Sequence, residues 1–502
     1  MSELELKFQV PASALPGVRR ALGAGKVQRL HLQARYFDTA DGLLASRQLA
    51  LRLRQEGTDW VQTLKGSTGH LAEREEHAVA LGGSGRGGPV LDVQRHRDSA
   101  VGQALLRLLQ AQPEAALQQV YATDVWRTHR VLSRGGARIE LALDEGRVVA
   151  GDAEHALCEL EFELKSGPPA ALFELAQAWC ARHGLWLDSV SKAQRGLLLA
   201  RGLAHAEPVK AEAPAIGRKT GAAHTLALIV NSALAQVLPN ASEVAAGSPA
   251  PEHVHQLRIG LRRLRTALRE LPALRVPAGF DWPATDAQAL EAAFAALGAA
   301  RDDQAVAAAI TARLQAAGAP WPQWPAAEAA PAAPADTVRS AAFQHALIGL
   351  LAFTHRALSQ PDDSDAPQAL FGERLQHLHR QVTKAAKRFD TLPVAEQHRV
   401  RKRLKRLRYL AEFVAPLYRR TDTERYLRAL RPAQDALGQH NDEAVAEAAY
   451  RRVAPDEPRA WFAVGWLQAQ QAASARQCTK ALGQVAKAKP FWRPGRKKPK
   501  AG

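Results

Sequence analysis

The chain has 502 residues, of which 46% are hydrophobic, and a formal net charge of +17. This length predicts two or three domains, and the sequence predicts neither a membrane-spanning segment nor a signal peptide. The three cysteines, Cys158, Cys180 and Cys478, lack the spacing of a metal site, which favours a reduced, cytoplasmic compartment.

The positive charge is concentrated in the C-terminal part. Residues 1–205 contain 25 Lys and Arg and 23 Asp and Glu, a net charge of +2, so the rest of the chain carries +15. Such different electrostatics suggest two different roles. We expect a first domain at 1–205, an Ala/Pro/Lys-rich linker at 206–220, a second domain at 221–485 and a disordered basic tail at 486–502.

The first domain is predicted to be rich in β-strands. Segments with strand patterns occur at 3–10, 31–38, 48–56, 59–65, 72–80, 118–131, 137–144 and 157–165. Helical patterns occur at 12–23, 98–112, 170–183 and 191–203. This mixture predicts an α+β domain built on an antiparallel sheet.

The first and last of these strands carry nearly the same motif. Residues 3–7 read Glu-Leu-Glu-Leu-Lys, and residues 159–165 read Glu-Leu-Glu-Phe-Glu-Leu-Lys. Side chains alternate between the faces of a strand, so the charged residues of each motif share one face. Like charges that face each other destabilise a sheet. Either these faces are solvated, or they converge on a cation, and carboxylates suit Mg²⁺ or Mn²⁺.

The other strands contribute mainly basic residues. They carry Arg52 and Arg54, Lys65, Arg74 with Glu76, Arg127, Arg130, and Glu140 with Asp144, while Lys192 and Arg195 begin a helix. Clustered Arg and Lys suit phosphate. The opposite strand faces are apolar, with Leu4, Leu6, Leu51, Leu53, Leu160, Phe162 and Leu164, and need a covering of helices. The pattern therefore predicts a barrel with a polar interior that holds a polyanion with its metal.

From residue 221 onward the pattern is helical and duplicated. A Pro/Ala-rich stretch at 318–334 separates halves at about 221–317 and 338–485. The segment 255–265 matches 398–408, and the Leu-Gly pairs at 297–298 and 437–438 follow at similar offsets. We therefore predict an all-α domain made of two related helical bundles.

Each half contains a helix with a basic stripe beside its leucines. On a helical wheel the stripes comprise His255, Arg258, Arg262, Arg265 and Arg269 in the first half and His398, Arg401, Lys405 and Arg408 in the second. A single stripe of this kind is commonly a solvated face. Its recurrence at matching positions, headed by a histidine each time, favours an anion-binding groove.

The first 205 residues resemble the CYTH family, or triphosphate tunnel metalloenzymes. The resemblance rests on Glu3-x-Glu5-x-Lys7, Tyr36-Phe-Asp-Thr39, Arg52-x-Arg54, residues 142–146, residues 159–167 and Ser191-Lys-x-x-Arg195. It implies a β tunnel that hydrolyses or cyclises triphosphates with Mg²⁺ or Mn²⁺. It implies metal binding by Glu3, Glu5, Glu76, Asp144, Glu161 and Glu163, and phosphate binding by Lys7, Arg52, Arg54, Lys65, Arg127 and Lys192. Glu159, Arg74 and Arg130 are further candidates.

The duplicated helices resemble the CHAD domain, which implies binding of inorganic polyphosphate by the two stripes. Together the two resemblances indicate an inorganic triphosphatase that converts triphosphate and water into pyrophosphate and phosphate. Hydrolysis or cyclisation of an organic triphosphate, such as thiamine triphosphate or ATP, and polyphosphate targeting with an inactive tunnel remain open. Nucleic acid is disfavoured because aromatic residues do not interleave with the basic stripes.

Overall fold

The structure is a computed structural model that describes residues 2–68, 71–83, 88–275, 277–325 and 332–492, without the side chains of residues 2 and 299–305. The N-terminal half is built on a single antiparallel sheet. Its strands are β1 (Ser2–Gln9), β2 (Gln28–Asp38), β3 (Ala50–Glu56), β4 (Asp59–Ser67), β5 (Glu73–Gly83), β6 (Gln118–Arg134), β7 (Ala137–Ala150), β8 (Ala153–Ser166) and β9 (Trp186–Leu187).

Eight of these strands close into a barrel. The hydrogen-bonded order is β5-β4-β3-β2-β6-β7-β8-β1, and β1 pairs back to β5 with Glu3 opposite Arg74. The two-residue strand β9 extends the sheet beside β1, with Phe8 opposite Leu187. All pairings are antiparallel, so the predicted fold class of this domain is confirmed.

Strands β6, β7 and β8 extend further than their sequence patterns predicted. They form two long hairpins, and the first turn contains Gly135 and Gly136, whose φ angles are 56° and 76°. A two-residue hairpin turn with positive φ at both positions matches the twist of the flanking strands and favours glycine. The long hairpins bring Arg127, Asp144 and Glu159 to the same level of the barrel, because Arg127 lies opposite Asp144 and Asp144 opposite Glu159.

Helices cover the outside of the barrel. They are α1 (Leu15–Leu22), α2 (Leu43–Ser46), α3 (Ala100–Gln110) and α4 (Pro169–His183), whereas α5 (Lys192–Ala200) packs against the interior-facing residues Tyr121 and Val125 at one end of the barrel. The outward-facing residues Leu4, Leu6, Leu51, Leu53, Leu160 and Phe162 are buried, and Leu164 is partly buried against the same core. The apolar exterior and the polar interior expected from the strand patterns are both present, but at one end of the interior Tyr36, Tyr121 and Val125 form an apolar cluster with α5.

The short helix α2 was not predicted. It begins after Asp38 and Thr39, whose side chains accept hydrogen bonds from the backbone N–H groups of Leu43, Leu44 and Ala45. These oxygens satisfy donors that a helix start leaves unpaired. At four residues, α2 is too short for a periodic pattern to reveal.

The C-terminal half is helical, as predicted. Its helices are α6 (Ala222–Ala245), α7 (Pro251–Glu270), α8 (Ala284–Ala316), α9 (Pro334–Arg339), α10 (Ala341–Leu358), α11 (Gln368–Ala385), α12 (Val394–Val414), α13 (Arg420–Val453) and α14 (Ala460–Lys487). Helices α6, α7, α8 and α10 pack together, as do α11 to α14, and the two groups meet where α7 contacts α12 and α8 contacts α13. This arrangement agrees with the duplication.

Helix α6 is long and apolar enough to cross a membrane by length and composition, which the sequence reading did not anticipate. In its most apolar stretch of 18 residues, 61% are buried inside the protein. Leu226, Val230 and Val237 belong to this buried set. The apolar character of α6 is therefore used in packing against neighbouring helices.

The segments at both ends of the helical half pack against it. In the predicted linker, Val209 exchanges hydrogen bonds with Asn240, and Ile216 is buried. At the other end, Phe491 and Trp492 contact Tyr418 and Tyr426 with ring centroids 4.9 and 4.8 Å apart. The expectation of a disordered tail is wrong for these two aromatic residues, and residues 493–502 lie outside the described part of the chain.

Candidate functional site

The barrel encloses a cavity of about 450 Å³, which we call the tunnel. It is lined by acidic and basic side chains from strands on every side. All twelve residues with predicted metal or phosphate roles line it, namely Glu3, Glu5, Lys7, Arg52, Arg54, Lys65, Glu76, Arg127, Asp144, Glu161, Glu163 and Lys192. The two acidic motifs of β1 and β8 thus face the same enclosed space and are not solvated outer faces.

Strand register brings these acidic rows together. Glu5 lies directly opposite Glu163, and Lys7 lies opposite Glu161. Among the described residues Glu5 forms no ion pair, and burial together with Glu161 raises the pKa of its carboxyl to about 7. A carboxylate held in this way would gain stability from a cation in the tunnel.

One end of the acidic row forms a tight cluster around Lys192, the first residue of α5. The Lys192 ammonium lies 2.7 Å from an oxygen of Asp144 and 2.7 Å from one of Glu161, and it also contacts Glu159. Arg127 donates to both oxygens of Asp144 at 2.7 and 2.6 Å and contacts Glu161. A capping box at Ser191 starts α5 at this point and thereby positions Lys192.

The electrostatics of this cluster depend on its two cations. Burial alone would raise the pKa of Glu161, but Lys192 and Arg127 outweigh it and hold that pKa well below its ordinary value. Burial dominates for Glu159 and raises its pKa despite Lys192 and Lys7. The cluster therefore combines Glu161, whose ionised form is stabilised, with Glu159, whose ionised form is disfavoured by burial.

A second cluster lies at Lys65 on β4. Its ammonium donates to Glu3 at 3.1 Å and contacts Glu76. Burial would raise the pKa of Glu76, but Lys65 and Arg52 lower it to about 2. Burial raises the pKa of Glu3 even though Lys65 lies beside it. The tunnel thus contains two groups of carboxylates, each balanced by lysine or arginine.

Two arginines in the tunnel form no ion pair among the described residues. Arg52 donates to the Tyr36 hydroxyl at 3.2 Å, while its buried Nε has no hydrogen-bond partner in the described structure. Arg74 donates to the carbonyl of Glu73 at 3.1 Å, and burial lowers its pKa. Arg54 differs because it pairs with Glu56. Arg52 and Arg74 are therefore placed to receive an anion from the cavity.

Other tunnel residues were not singled out from the sequence. Asp188 follows β9, accepts a hydrogen bond from Gln9 at 2.7 Å, and pairs with Lys7 and Arg195. Asp188 comes three residues before the Ser191-Lys192 motif, and this closeness to a predicted phosphate-binding residue could have identified it from the sequence. Arg130, in contrast, is not a tunnel residue, because it alternates with Arg127 and His129 on β6 and faces the outside of the barrel.

The helical half contributes to the tunnel wall. Leu238 of α6 and Leu351 of α10 line the cavity together with Leu71 and Leu187. Neighbouring polar contacts fix this arrangement, since the Leu187 N–H donates to Gln344 at 2.8 Å and His355 lies 2.8 Å from Glu73. Sequence reasoning assigned the tunnel to the first domain alone, and the helical half in fact completes one apolar patch of its wall.

The carboxylates of the Lys192 cluster have the chemistry of a divalent metal site. One oxygen each from Asp144, Glu159 and Glu161 can be chosen so that all three lie within 4.8 Å of one another. The buried Oε2 of Glu159 lacks a hydrogen bond, and Lys7 Nζ lies 3.5 Å from it. Oxygen donors of this kind suit Mg²⁺ and Mn²⁺. The residues present therefore fit a hard divalent cation.

The basic stripe of α7 lies against an aromatic ring of α8. The guanidinium groups of Arg258, Arg262 and Arg265 lie 5.4, 5.1 and 5.1 Å from the ring centroid of Phe294. Arg265 also donates to Glu291 at 2.7 Å. The stripe itself lacks aromatics, as the sequence indicated, but the neighbouring helix provides one. Arg269 at the end of the stripe is exposed.

The matching stripe of α12 lies beside α13. Asn441 of the second Leu-Gly motif is 3.1 Å from His398, and burial and Lys402 lower the pKa of this histidine. Arg408 pairs with Glu412 at 2.6 Å, so the far end of the stripe is partly neutralised. Arg401 and Lys405 lie half-buried between these ends. The side chains of 301–303 in the first motif lie outside the described residues.

The fold and site define a two-part protein, in which a charged β tunnel is joined to a duplicated helical module. Family models identify the parts. The chain contains a CYTH domain, matched over residues 1–197, and a CHAD domain, matched over residues 228–451. The resemblances stated from sequence motifs are therefore confirmed.

Known relatives cover parts of the chain. An inorganic triphosphatase of Haemophilus influenzae is 29% identical over 205 residues, which are 40% of this chain and 55% of that relative. The chain thus matches about half the length of this curated relative. A crystal structure of the Ricinus communis CHAD domain is 28% identical, with a TM-score of 0.45, and the match covers 55% of this chain and 96% of that one. A Hippeastrum protein described as having a dominant triphosphatase activity is 18% identical, with a TM-score of 0.28, covering 40% of this chain and 96% of that one.

Proposed function

We propose that the tunnel hydrolyses inorganic triphosphate to pyrophosphate and phosphate with Mg²⁺ or Mn²⁺. The observation that carries this proposal is the convergence of both signs of charge in one cavity. The half-buried Arg52 and Arg74 have no ion pair among the described residues, while Asp144, Glu159 and Glu161 gather within ligand distance of one another. A metal–triphosphate complex carries the complementary charges.

The proposed roles follow the position of each side chain. Carboxylates at Glu3, Glu5, Glu76, Asp144, Glu161 and Glu163, joined by Glu159 of the Lys192 cluster, would hold the metal, which when bound would supply charge neutralisation and an activated water. Lys7, Arg52, Arg54, Lys65, Arg127 and Lys192 would contact phosphate oxygens. Phosphoryl transfer depends mainly on positioning and charge stabilisation, so neither a serine nor a cysteine nucleophile is required.

Lys192 and Arg127 have a particular part in this proposal. Both now bind the carboxylates of Asp144 and Glu161. We propose that they turn from these carboxylates toward phosphate oxygens when substrate enters. Their positive charge would then stabilise the leaving pyrophosphate, and the tunnel would stay electrically balanced throughout the reaction.

A phosphate-release assay tests the proposal. Triphosphate hydrolysis should require a divalent metal, and Glu5→Gln and Glu161→Gln should each reduce turnover by roughly a hundredfold or more while leaving the circular dichroism spectrum intact. Glu140→Gln is the matched control, because Glu140 lines the tunnel but pairs with Lys165, and both residues lie outside the proposed metal and phosphate sets. Metal-independent activity, or full activity of Glu161→Gln, would contradict the proposal.

An organic triphosphate is the second candidate, and the apolar wall patch favours it. Leu71, Leu187, Leu238 and Leu351 could contact a base or thiamine ring while the phosphates occupy the charged part of the tunnel. ATP and thiamine triphosphate therefore belong in the same assay. If an organic substrate is preferred, Leu351→Ala should lower its kcat/KM relative to that of inorganic triphosphate. An unchanged ratio would favour the inorganic substrate.

We further propose that the CHAD domain binds inorganic polyphosphate through the stripes on α7 and α12. Support comes from their matching positions and from the cluster of arginines around Phe294. The double variant Arg262→Gln/Lys405→Gln should weaken polyphosphate retention by roughly ten- to a hundredfold. Arg425→Gln, an exposed residue of α13 paired with Asp422, is the control. Retention without triphosphate turnover would instead indicate a targeting protein with an inactive tunnel.

We propose that the tunnel domain spans residues 1–205, the linker 206–220 and the helical domain 221–485.

We also propose a cytoplasmic location, in which the cysteines stay reduced. Cys158, Cys180 and Cys478 are all unpaired in the structure. Burial raises the pKa of the Cys158 thiol to about 11, so it has little thiolate character.

A further inference from the structure

A second basic cavity lies on the outside of the barrel, away from the tunnel. It has a volume of about 700 Å³ and lies between helix α1, the outer face of β6, and helix α4. Five basic side chains line it, namely Arg20, Arg130, Arg134, Arg182 and His183. Its lining contains no acidic residue among those the structure describes. We call this cavity the outer pocket.

The basic side chains of the outer pocket lack ion-pair partners among the described residues. The buried Nε of Arg130 and the buried Nε2 of His183 also lack hydrogen-bond partners there. Buried polar atoms are normally satisfied, and each unsatisfied one requires an explanation. Water screens the exposed Arg20, Arg134 and Arg182, so the unsatisfied atoms of Arg130 and His183 are the ones that a bound anion would complete. Arg19, the neighbour of Arg20, differs from the arginines of the outer pocket because it has an acidic partner, Glu145.

We propose that the outer pocket is a binding site for a condensed phosphate. Arginine matches phosphate geometry because its planar group can donate two parallel hydrogen bonds. Four guanidinium groups around one cavity suit several phosphate groups in a chain better than a single monoanion. The choice of condensed phosphate among polyanions rests on the proposed function, whereas the anion site itself rests on the pocket alone.

The shape of the pocket argues for a compact ligand. Leu132, Leu175 and Trp179 form apolar parts of its lining, and the aromatic ring of Trp179 lies edge-on against Phe162 in the core. Trp179 is only 9% exposed, so its face is not open for base stacking. The sheet separates the pocket from the tunnel, since Arg130 points outward and its neighbour His129 lines the tunnel. A ligand could therefore occupy both sites at once.

Isothermal titration with the full-length protein in EDTA tests the proposal. Pyrophosphate, triphosphate and long-chain polyphosphate are titrated separately into the wild type and into Arg20→Ala/Arg182→Ala. Both substituted residues are exposed, which protects the fold. We expect the wild type to bind one ligand per chain more than the variant, or to bind at least tenfold more tightly at that site. The tightest of the three ligands identifies the source of the condensed phosphate.

Two controls make the result decisive. Arg107→Ala removes an exposed arginine of α3, outside the pocket, and should leave the stoichiometry unchanged. Equal stoichiometry and affinity in the double variant, an equal loss in Arg107→Ala, or equally tight binding of inorganic monophosphate would overturn the proposal. An unchanged melting temperature of the double variant shows that it folds. Because the titration measures binding in EDTA, its result does not depend on whether the tunnel hydrolyses triphosphate, so either proposal can fail while the other holds.

Discussion

Replacement of Lys192 by methionine tests the charge balance of the tunnel most directly. The substitution keeps the length of the side chain and removes its charge. Asp144, Glu159 and Glu161 would lose the ammonium that contacts all three. Removal of one partner from a buried ionic group typically costs about 3–5 kcal/mol, because the remaining charges stay buried and uncompensated.

The expected size of the effect can be stated for urea unfolding. With a dependence of about 2 kcal/mol per molar urea, a loss of about 4 kcal/mol lowers the midpoint of the tunnel domain by roughly 2 M in EDTA. Lys165→Met is the matched control. Lys165 pairs with Glu163 and Glu140 but is 36% exposed, and such pairs contribute about 1 kcal/mol or less.

Metal should reverse part of this loss. A divalent ion at a hundredfold excess over its dissociation constant stabilises a folded protein by about 2.7 kcal/mol. Mg²⁺ should therefore raise the urea midpoint more in Lys192→Met than in the wild type, because the ammonium no longer competes for the same carboxylates. The reasoning is refuted if Lys192→Met is as stable as the wild type in EDTA, or if Mg²⁺ stabilises both proteins equally.

Three further outcomes are expected. Arg52→Lys should raise KM for triphosphate by roughly ten- to a hundredfold in the phosphate-release assay, because lysine cannot donate two parallel hydrogen bonds; an unchanged KM would exclude Arg52 from phosphate binding. Burial, His77 and Arg95 lower the pKa of His96 from 6.5 to about 4, so the unfolded chain binds its proton first as the pH falls. The free energy of unfolding of the wild type should therefore drop by up to about 3 kcal/mol relative to His96→Gln between pH 7 and pH 4, and parallel curves would contradict this. Glu270→Ala should destabilise the helical domain by about 3–5 kcal/mol in thermal unfolding, because buried Glu270 pairs with Arg374 and Arg406, and a loss below 1 kcal/mol would contradict the importance of this link.

Strand alternation made the barrel and most of the tunnel predictable from sequence. Glu5 and Glu161 could be placed inside because leucine and phenylalanine alternate with them, and a slip of one residue would have exposed that apolar face. The family motifs added the expectation that the strands close into a tunnel. Side-chain periodicity, however, does not reveal which strand lies opposite which, so the direct pairing of Glu5 with Glu163 required the structure.

The parts that sequence could not provide depend on packing across long distances. Leu238 and Leu351 read as ordinary core leucines of helices, and only the docking of the two domains turns them toward the tunnel. Arg130 looked like a companion of Arg127, but a spacing of three places it on the opposite face of a strand. Phe294 could not be connected with the basic stripe because it lies on the next helix.

The buried charges that would bind metal and phosphate in the tunnel also disfavour folding of the barrel, and burial of apolar surface elsewhere in the molecule offsets this loss of stability. An eight-stranded barrel can fill its interior with side chains, whereas this one keeps a charged cavity inside and buries much of its apolar surface on the outer face. That surface then needs a cover, which α1 to α4 provide in part and the helical domain completes at Leu238 and Leu351. The helical domain therefore has a structural reason to remain attached, separate from any role in binding polyphosphate. If this is correct, separation of the two domains should expose apolar barrel surface and impair the tunnel even with inorganic triphosphate, a substrate that never touches the basic stripes.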